Sequence, residues 1–305
     1  MEKGLEHKNA IVLAMFGTSV EHALAGLLNI RDKVAERFPE TQVRIAFTSN
    51  IIRRIWQKRA HDPDYTLSHP EVFPDILNVQ GPLAAISSLQ DKGFDSIVVQ
   101  PVHIAPAEEY VDLTSYVAGL NSIKTVKAKY RPFANLVLGR PALGTFGTVY
   151  PYSRDIVSVA ASLASDAALA EQENAALFYL GHGNRYYPTS GVYLEFAAEM
   201  SKQYPNILTV MSMVEGFPDV NAAIAELLKA HNVEKVLLKP FMIVAGDHIT
   251  KNMIGNEPDT LKSRLEREGF VVQPVVRGLG EQAAFAQIFV DHAADAAKDA
   301  KIELR

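Results

Sequence analysis

The chain has 305 residues, 48% hydrophobic and 21% charged, with a formal net charge of −5 and no cysteine. That balance is ordinary for a globular protein, and its mild acidity supplies no field for nucleic acid or an anionic membrane. The missing cysteines exclude disulfides, thiolate metal sites and thiol nucleophiles, and no apolar run approaches the length of a membrane span.

The first strand is predicted in "AIVLAMFGTS", an apolar run too short for a signal-peptide core. The chain is therefore expected in the cytoplasm, or in the periplasm if an export signal was removed ahead of Met1. Ser19 is a natural N-cap for an amphipathic helix with Leu24, Leu27, Leu28, Val34 and Phe38 at helical spacing, which ends at Phe38-Pro39. His22 falls on its first turn. "TQVRIAFTSN" is the second strand. The charge run "RRIWQKR" (53–59) reads as a solvated helix face, placed so that Arg53 and Arg54 can meet carboxylates on a ligand. Residues 61–81, punctuated by prolines, look like a loop insertion ahead of a helix that Pro82 opens. The third strand lies in "GFDSIVVQPVHIAPAEEY".

From Ala175 the pattern starts again. "AALFYLGHGN" leads into a helix ending at Tyr204-Pro205 and then the strand "ILTVMSMVEG". Gly17-Thr18 corresponds to Gly181-His182, and Ser49 falls opposite Glu215. "NVEKVLLKPFMIVAGDHI" matches the third-strand segment, and aligning Pro101 with Pro240 sets Glu108-Glu109 against Asp247-His248. Strands alternating with helices argue for α/β organisation with parallel sheets. The expected architecture is two similar α/β domains, 1–144 and 145–305, whose parallel sheets face a central cleft. The final helix is a candidate to pack back on the first domain.

Ligands of open parallel sheets sit beyond the carboxyl ends of the strands. The repeat therefore predicts the lining of the cleft: Thr18, Ser19, Ser49 and Glu109 from the first half, and His182, Glu215 and His248 from the second. Two imidazoles with a carboxylate suit a divalent first-row metal such as Zn, Co, Ni or Fe(II), where calcium or magnesium would want more oxygens. Gly181, Gly183 and Gly246 allow sharp turns and the close approach of a flat ligand. His103, at the end of the third strand, is a further candidate for the lining. His231 reads as a helix-end residue, and His7, His61, His69 and His292 read as surface positions. Phosphate-loop, dinucleotide, zinc-protease and nucleophile-elbow motifs are missing.

"FGTS", "AFTSNIIRR", "VVQPVHIAPAEEY", "GHG", "VEGFPD" and "PFMIVAGDH", in this order from about Ala10 to His292, resemble the anaerobic cobalt chelatases of the CbiK type. The resemblance implies two similar α/β domains facing across a tetrapyrrole cleft, and insertion of Co²⁺ into sirohydrochlorin during cobalamin synthesis. It carries metal binding to His182, Glu215 and His248, and makes His182, Glu109 and His248 the expected catalytic residues, with His182 or Glu109 accepting a proton. Thr18, Ser19, Ser49, Arg53, Arg54 and His103 are then expected to line the substrate site, with Arg185 offering a further charge to its carboxylates. Co²⁺ would be the substrate metal, with no organic cofactor. Sirohydrochlorin would be the partner, with neither nucleic acid nor membrane. The stretches 111–137 and 145–174 are longer than typical and could serve contacts in a homo-oligomer. The rim also departs from the family's text: Tyr186 stands where a second histidine is common after "GHG", and Lys251-Asn252 replaces an Asn-Asp pair after "AGDH". The alternative reading is a tetrapyrrole or metal carrier that kept the cleft without turnover, or a chelatase for Fe²⁺ or Ni²⁺.

Overall fold

Apolar runs with β-branched residues alternate with helical segments, and they form two four-stranded parallel sheets of identical order. The structure, a computed structural model, describes residues 7–230, 232–246, 249–255 and 257–305. The first sheet is ordered β2-β1-β3-β4, from β1 (Asn9–Met15), β2 (Gln42–Phe47), β3 (Ser96–Val102) and β4 (Asn135–Leu138). The second is ordered β6-β5-β7-β8, from β5 (Ala176–Gly183), β6 (Thr209–Glu215), β7 (Lys235–Phe241) and β8 (Val271–Pro274). The helices are α1 (Leu24–Arg37), α2 (Asn50–Ala60), α3 (Pro63–Ser68), α4 (Pro74–Leu77), α5 (Pro82–Asp91) and α6 (Glu108–Asn121) in the first half. α7 (Tyr152–Ser162), α8 (Ala164–Gln172), α9 (Ser190–Gln203), α10 (Val220–Leu228), α11 (Leu261–Arg267) and α12 (Ala283–Asp299) follow. None of the described helices is long and apolar enough to cross a membrane.

The strands read as continuous apolar runs because helices cover both faces of each sheet: Ala10 to Met15 are all fully buried. Pro101 in β3 and Pro240 in β7 lie two residues past the last pairing with the edge strands β4 and β8, where the ladder on that side has already ended.

Several expectations change. The edge strands β4 and β8 were not predicted; each is four residues, too short for a periodic signal. The 61–81 segment holds two short helices, α3 and α4, whose first turns are opened by Pro63 and Pro74. Ser19 is not the cap of α1, which begins at Leu24 after a turn containing His22 and has Ala23 at its N-cap. Ser19 belongs instead to a loop tied to α2, where Arg59 donates to Ser19 O at 2.6 Å and Trp56 Nε1 to Thr18 O at 2.7 Å. The 53–59 run is thus no simple solvated face, since Trp56 is fully buried.

One core joins the halves: Ile11, Leu13 and Leu27 belong to the same buried cluster as Tyr179, Phe196, Phe241, Phe285 and Phe289. α12 lies against α1, β3, β4 and α7. α1 meets the second half at the 279–281 turn, where Asn29 Nδ2 donates to Gly280 O at 2.7 Å. His292, expected at the surface, is buried in α12, with Nε2 3.2 Å from Asp155 Oδ1 and Nδ1 3.1 Å from Arg140 O. Arg140 in turn grips Asp155 with two bonds and Asp295 with a third. A helical position with polar neighbours in sequence became internal because α12 is covered on more than one side.

Candidate active site

His182 is the penultimate residue of β5 and Glu215 the last of β6, so pairing of the two strands brings them to the same end of the sheet. Gly183 has φ +71°, and a β-carbon there would strike the carbonyl of Glu215. Only glycine lets the two strands finish this close together. His182 Nδ1 lies 3.0 Å from Gly183 O, an acceptor, so the neutral ring carries its proton on Nδ1 and its lone pair on Nε2. In that tautomer Nε2 is the nitrogen able to ligate a metal. Glu215 is not idle, since Arg185 Nε sits 3.1 Å from its Oε1. The arginine suggested for substrate carboxylates thus holds one oxygen of a protein carboxylate, and competes with a cation arriving at Glu215.

Glu109 lies in the first turn of α6. Burial pushes its carboxyl up, and the neighbouring Glu108 and Asp112 add to this; the backbone bond at the helix start and His182 work the other way. Glu109, in the first half, thus lies within electrostatic reach of His182 in the second. The ends of β1 and β7 meet likewise, with Thr18 Oγ1 3.7 Å from where a β-carbon on Gly246 would stand. Repeat-equivalent positions therefore meet crosswise between the halves. Asp247 and His248, the residues that follow Gly246, lie outside the described residues, as does His231. Among the described residues, no three His, Asp or Glu side chains form a metal cage.

The remaining candidates divide. Thr18 is buried and its hydroxyl accepts from Val20 N at 3.1 Å. Ser49 is the N-cap of α2, accepting from Ile52 N at 3.4 Å, which commits its hydroxyl to the helix. Arg53 turns back on the strand end and donates to Phe47 O, to Thr48 O at 3.0 Å and to Asn50 Oδ1. Arg54 is exposed. Thr48, Gln80, Asp112 and Tyr116 line a cavity that also reaches Glu109. Gln80 carried no sequence signal, whereas Thr48, immediately before Ser49 at a strand end, could have been read.

His103 follows β3, and both its ring nitrogens are buried without a hydrogen-bond partner among the described residues. Burial holds its imidazole down at about 4. The unfolded chain takes up this proton near pH 6.5 and the folded protein only near 4, so stability falls as pH drops through that window. The loss attributable to His103 is about 3 kcal/mol at ~1.36 kcal/mol per pH unit. Urea unfolding at pH 7 and pH 4 should show His103→Leu spared this loss; equal pH dependence in both proteins would contradict it.

The family model of the cobalt chelatase CbiK matches residues 9–298. The chain belongs to the CbiK cobalt chelatase family. Sirohydrochlorin cobaltochelatase CbiKC of Nitratidesulfovibrio vulgaris is 29% identical over 285 residues, covering 93% of this chain and 89% of the relative. A sirohydrochlorin cobaltochelatase of Salmonella typhimurium is 26% identical over 286 residues, covering 93% of this chain and 95% of the relative. In fold the chain resembles SirB from Bacillus subtilis with Fe³⁺, with TM-score 0.60 and 12% identity, over 98% of this chain and 100% of that one. In this CbiK-family chain, Tyr186 is largely exposed at the rim, its N–H held 2.8 Å from Asn184 Oδ1.

Proposed function

We propose that the protein is a sirohydrochlorin cobaltochelatase of anaerobic cobalamin synthesis, inserting Co²⁺ into the free-base macrocycle with release of two pyrrole protons. The observation that carries this reading is the meeting of His182 and Glu215 on adjacent strand ends, with Glu109 of the other half within electrostatic reach of His182, in a member of the cobalt chelatase family. Co²⁺ is a substrate here. In this reading the two units, 1–144 and 145–305, hold the macrocycle between them, with Thr18 and Ser19 at its edge.

His182 Nε2 and Glu215, joined by His248 on the strength of its motif, hold the cation on one face of the macrocycle. Glu109 accepts a pyrrole proton, since a partly buried carboxylate is more basic than an exposed one. Transfer requires that the ring nitrogens win the metal from the protein, so the protein site cannot be tight. The Arg185–Glu215 pair works in that direction: it competes with the cation for the carboxylate and re-forms when the metal leaves.

The test mixes the purified protein with sirohydrochlorin and Co²⁺ and follows the absorbance change of metallation. The expected result is a rate well above the protein-free reaction, with Ni²⁺ and Fe²⁺ run alongside to rank the metals. Tight retention of the macrocycle with no acceleration for any metal would make the protein a carrier and sink the proposal.

A further inference from the structure

Two neighbours on one face of α2 act on a single loop. Trp56 and Arg59 are three residues apart, so both side chains reach the turn that follows β1. Trp56 is fully buried, and a buried indole N–H needs an acceptor; it has Thr18 O, at 2.7 Å. Arg59 Nη1 takes the next carbonyl, Ser19 O, at 2.6 Å. Its guanidinium packs against the rings of Trp56 and Tyr65, 4.6 and 5.1 Å from their centres. Glu21 matches its charge: Oε1 lies 3.2 Å from Arg59 Nη2 and accepts from the Tyr65 hydroxyl at 2.8 Å. A guanidinium held by two rings and a carboxylate has little freedom, and the carbonyl it grips has little either.

In a trans peptide the C=O and the following N–H point opposite ways. With the carbonyls of Thr18 and Ser19 drawn to α2, the N–H groups of Ser19 and Val20 are turned away from it. Val20 N shows where that leads. It meets Thr18 Oγ1 at 3.1 Å, and this oxygen lies 3.7 Å from where a β-carbon on Gly246, in the second half, would stand. The side of the loop away from α2 is thus the side on which the loop after β7 arrives. Ser19 is half-buried there, and neither its N–H nor its hydroxyl has a hydrogen-bond partner among the described residues. With its carbonyl already taken by Arg59, Ser19 offers a ligand two donors. A carboxylate accepts from both, whereas a basic arm finds no acceptor. We infer that Ser19 seats one carboxylate arm of the macrocycle through its N–H and hydroxyl, and that Trp56 and Arg59 are positioning residues that orient Ser19 for it. This rests on the chelatase reading and adds to it the atoms that anchor the substrate's edge on the first half.

The experiment titrates sirohydrochlorin and its fully methyl-esterified form against wild type, Ser19→Ala, Arg59→Met and the double variant, by the fluorescence of the macrocycle, with metallation kinetics in parallel. Ser19→Ala should weaken sirohydrochlorin binding about tenfold, the worth of one hydrogen bond to a charged acceptor. Arg59→Met removes a side chain that stands behind the loop. It should weaken binding about as much, and raise KM more than it lowers kcat. Because both act on one contact, the double variant should lose well under the product of the single losses. The ester should bind wild type weakly and separate it little from Ser19→Ala. Equal affinity of wild type and either single variant for sirohydrochlorin, in a wild type that metallates, overturns the inference and leaves the chelatase reading standing. A double variant whose losses multiply also overturns it, since Arg59 would then not act through Ser19. Should Arg59→Met fail to fold, Arg59→Lys takes its place with the same outcomes, because one nitrogen cannot serve both Ser19 O and Glu21 as the fork does. A wild type that neither binds nor metallates sirohydrochlorin overturns both readings.

Discussion

Replacing Glu109 with glutamine slows metal insertion by about 10²–10⁴-fold, the usual loss when a general base is removed. The substitution keeps the shape of the side chain on α6 and takes away its basicity. The pH profile separates this from a structural effect. Burial, with Glu108 and Asp112 beside it, raises the Glu109 carboxyl, so the reactive carboxylate forms only as pH climbs above the ordinary glutamate range. The wild-type rate should therefore rise with pH through that raised value, and Glu109→Gln should lack the limb. His182→Ala behaves differently: it removes a neutral nitrogen from the metal side, so its defect should shrink as Co²⁺ is raised, while that of Glu109→Gln should not. If Glu109→Gln kept wild-type speed and the same pH limb, Glu109 would not be the proton acceptor.

Lys239→Met lowers folding stability by about 3–5 kcal/mol, a large share of what a domain has. Lys239 and Asp166 form an ion pair with both residues 3% exposed. Tyr179 donates to Asp166 Oδ2 at 2.7 Å, and Gln282 Nε2 approaches both oxygens, at 3.2 and 3.3 Å. Methionine fills the space of the lysine stem and leaves the carboxylate buried without its cation. Asp166→Asn added to Lys239→Met removes the stranded charge, keeps an acceptor for Tyr179, and should recover most of the loss. Urea unfolding of the single and double variants checks this. An unchanged midpoint in Lys239→Met would mean that the pair contributes nothing.

Much of the candidate site was legible because strand ends announce themselves. Gly17 and Gly181 close apolar runs at equivalent places, and Pro101 and Pro240 align the segments carrying Glu109 and His248. What local periodicity could not carry was any fact about a partner distant in sequence. Arg185 looked available to a ligand until the β5–β6 register put Glu215 beside it. Ser49 looked like a ligand group, but a strand end is also a helix start, and its hydroxyl caps α2. Trp56 and His292 looked exposed by the company they keep in sequence, yet both are buried by elements tens of residues away or more.

The sequence by itself determined two parallel sheets of the same design, because buried strands must be apolar and their ends must turn. It also determined which side chains those turns carry. The tertiary structure decided which ends face each other: the loop after β1 meets the loop after β7, and Glu109 of the first half comes within electrostatic reach of His182 of the second. It also decided that α12 lies against the first sheet and that Thr48 and Gln80 share a cavity wall. These are contacts between segments far apart in the chain, set by how whole faces pack, and no window of neighbouring residues contains them.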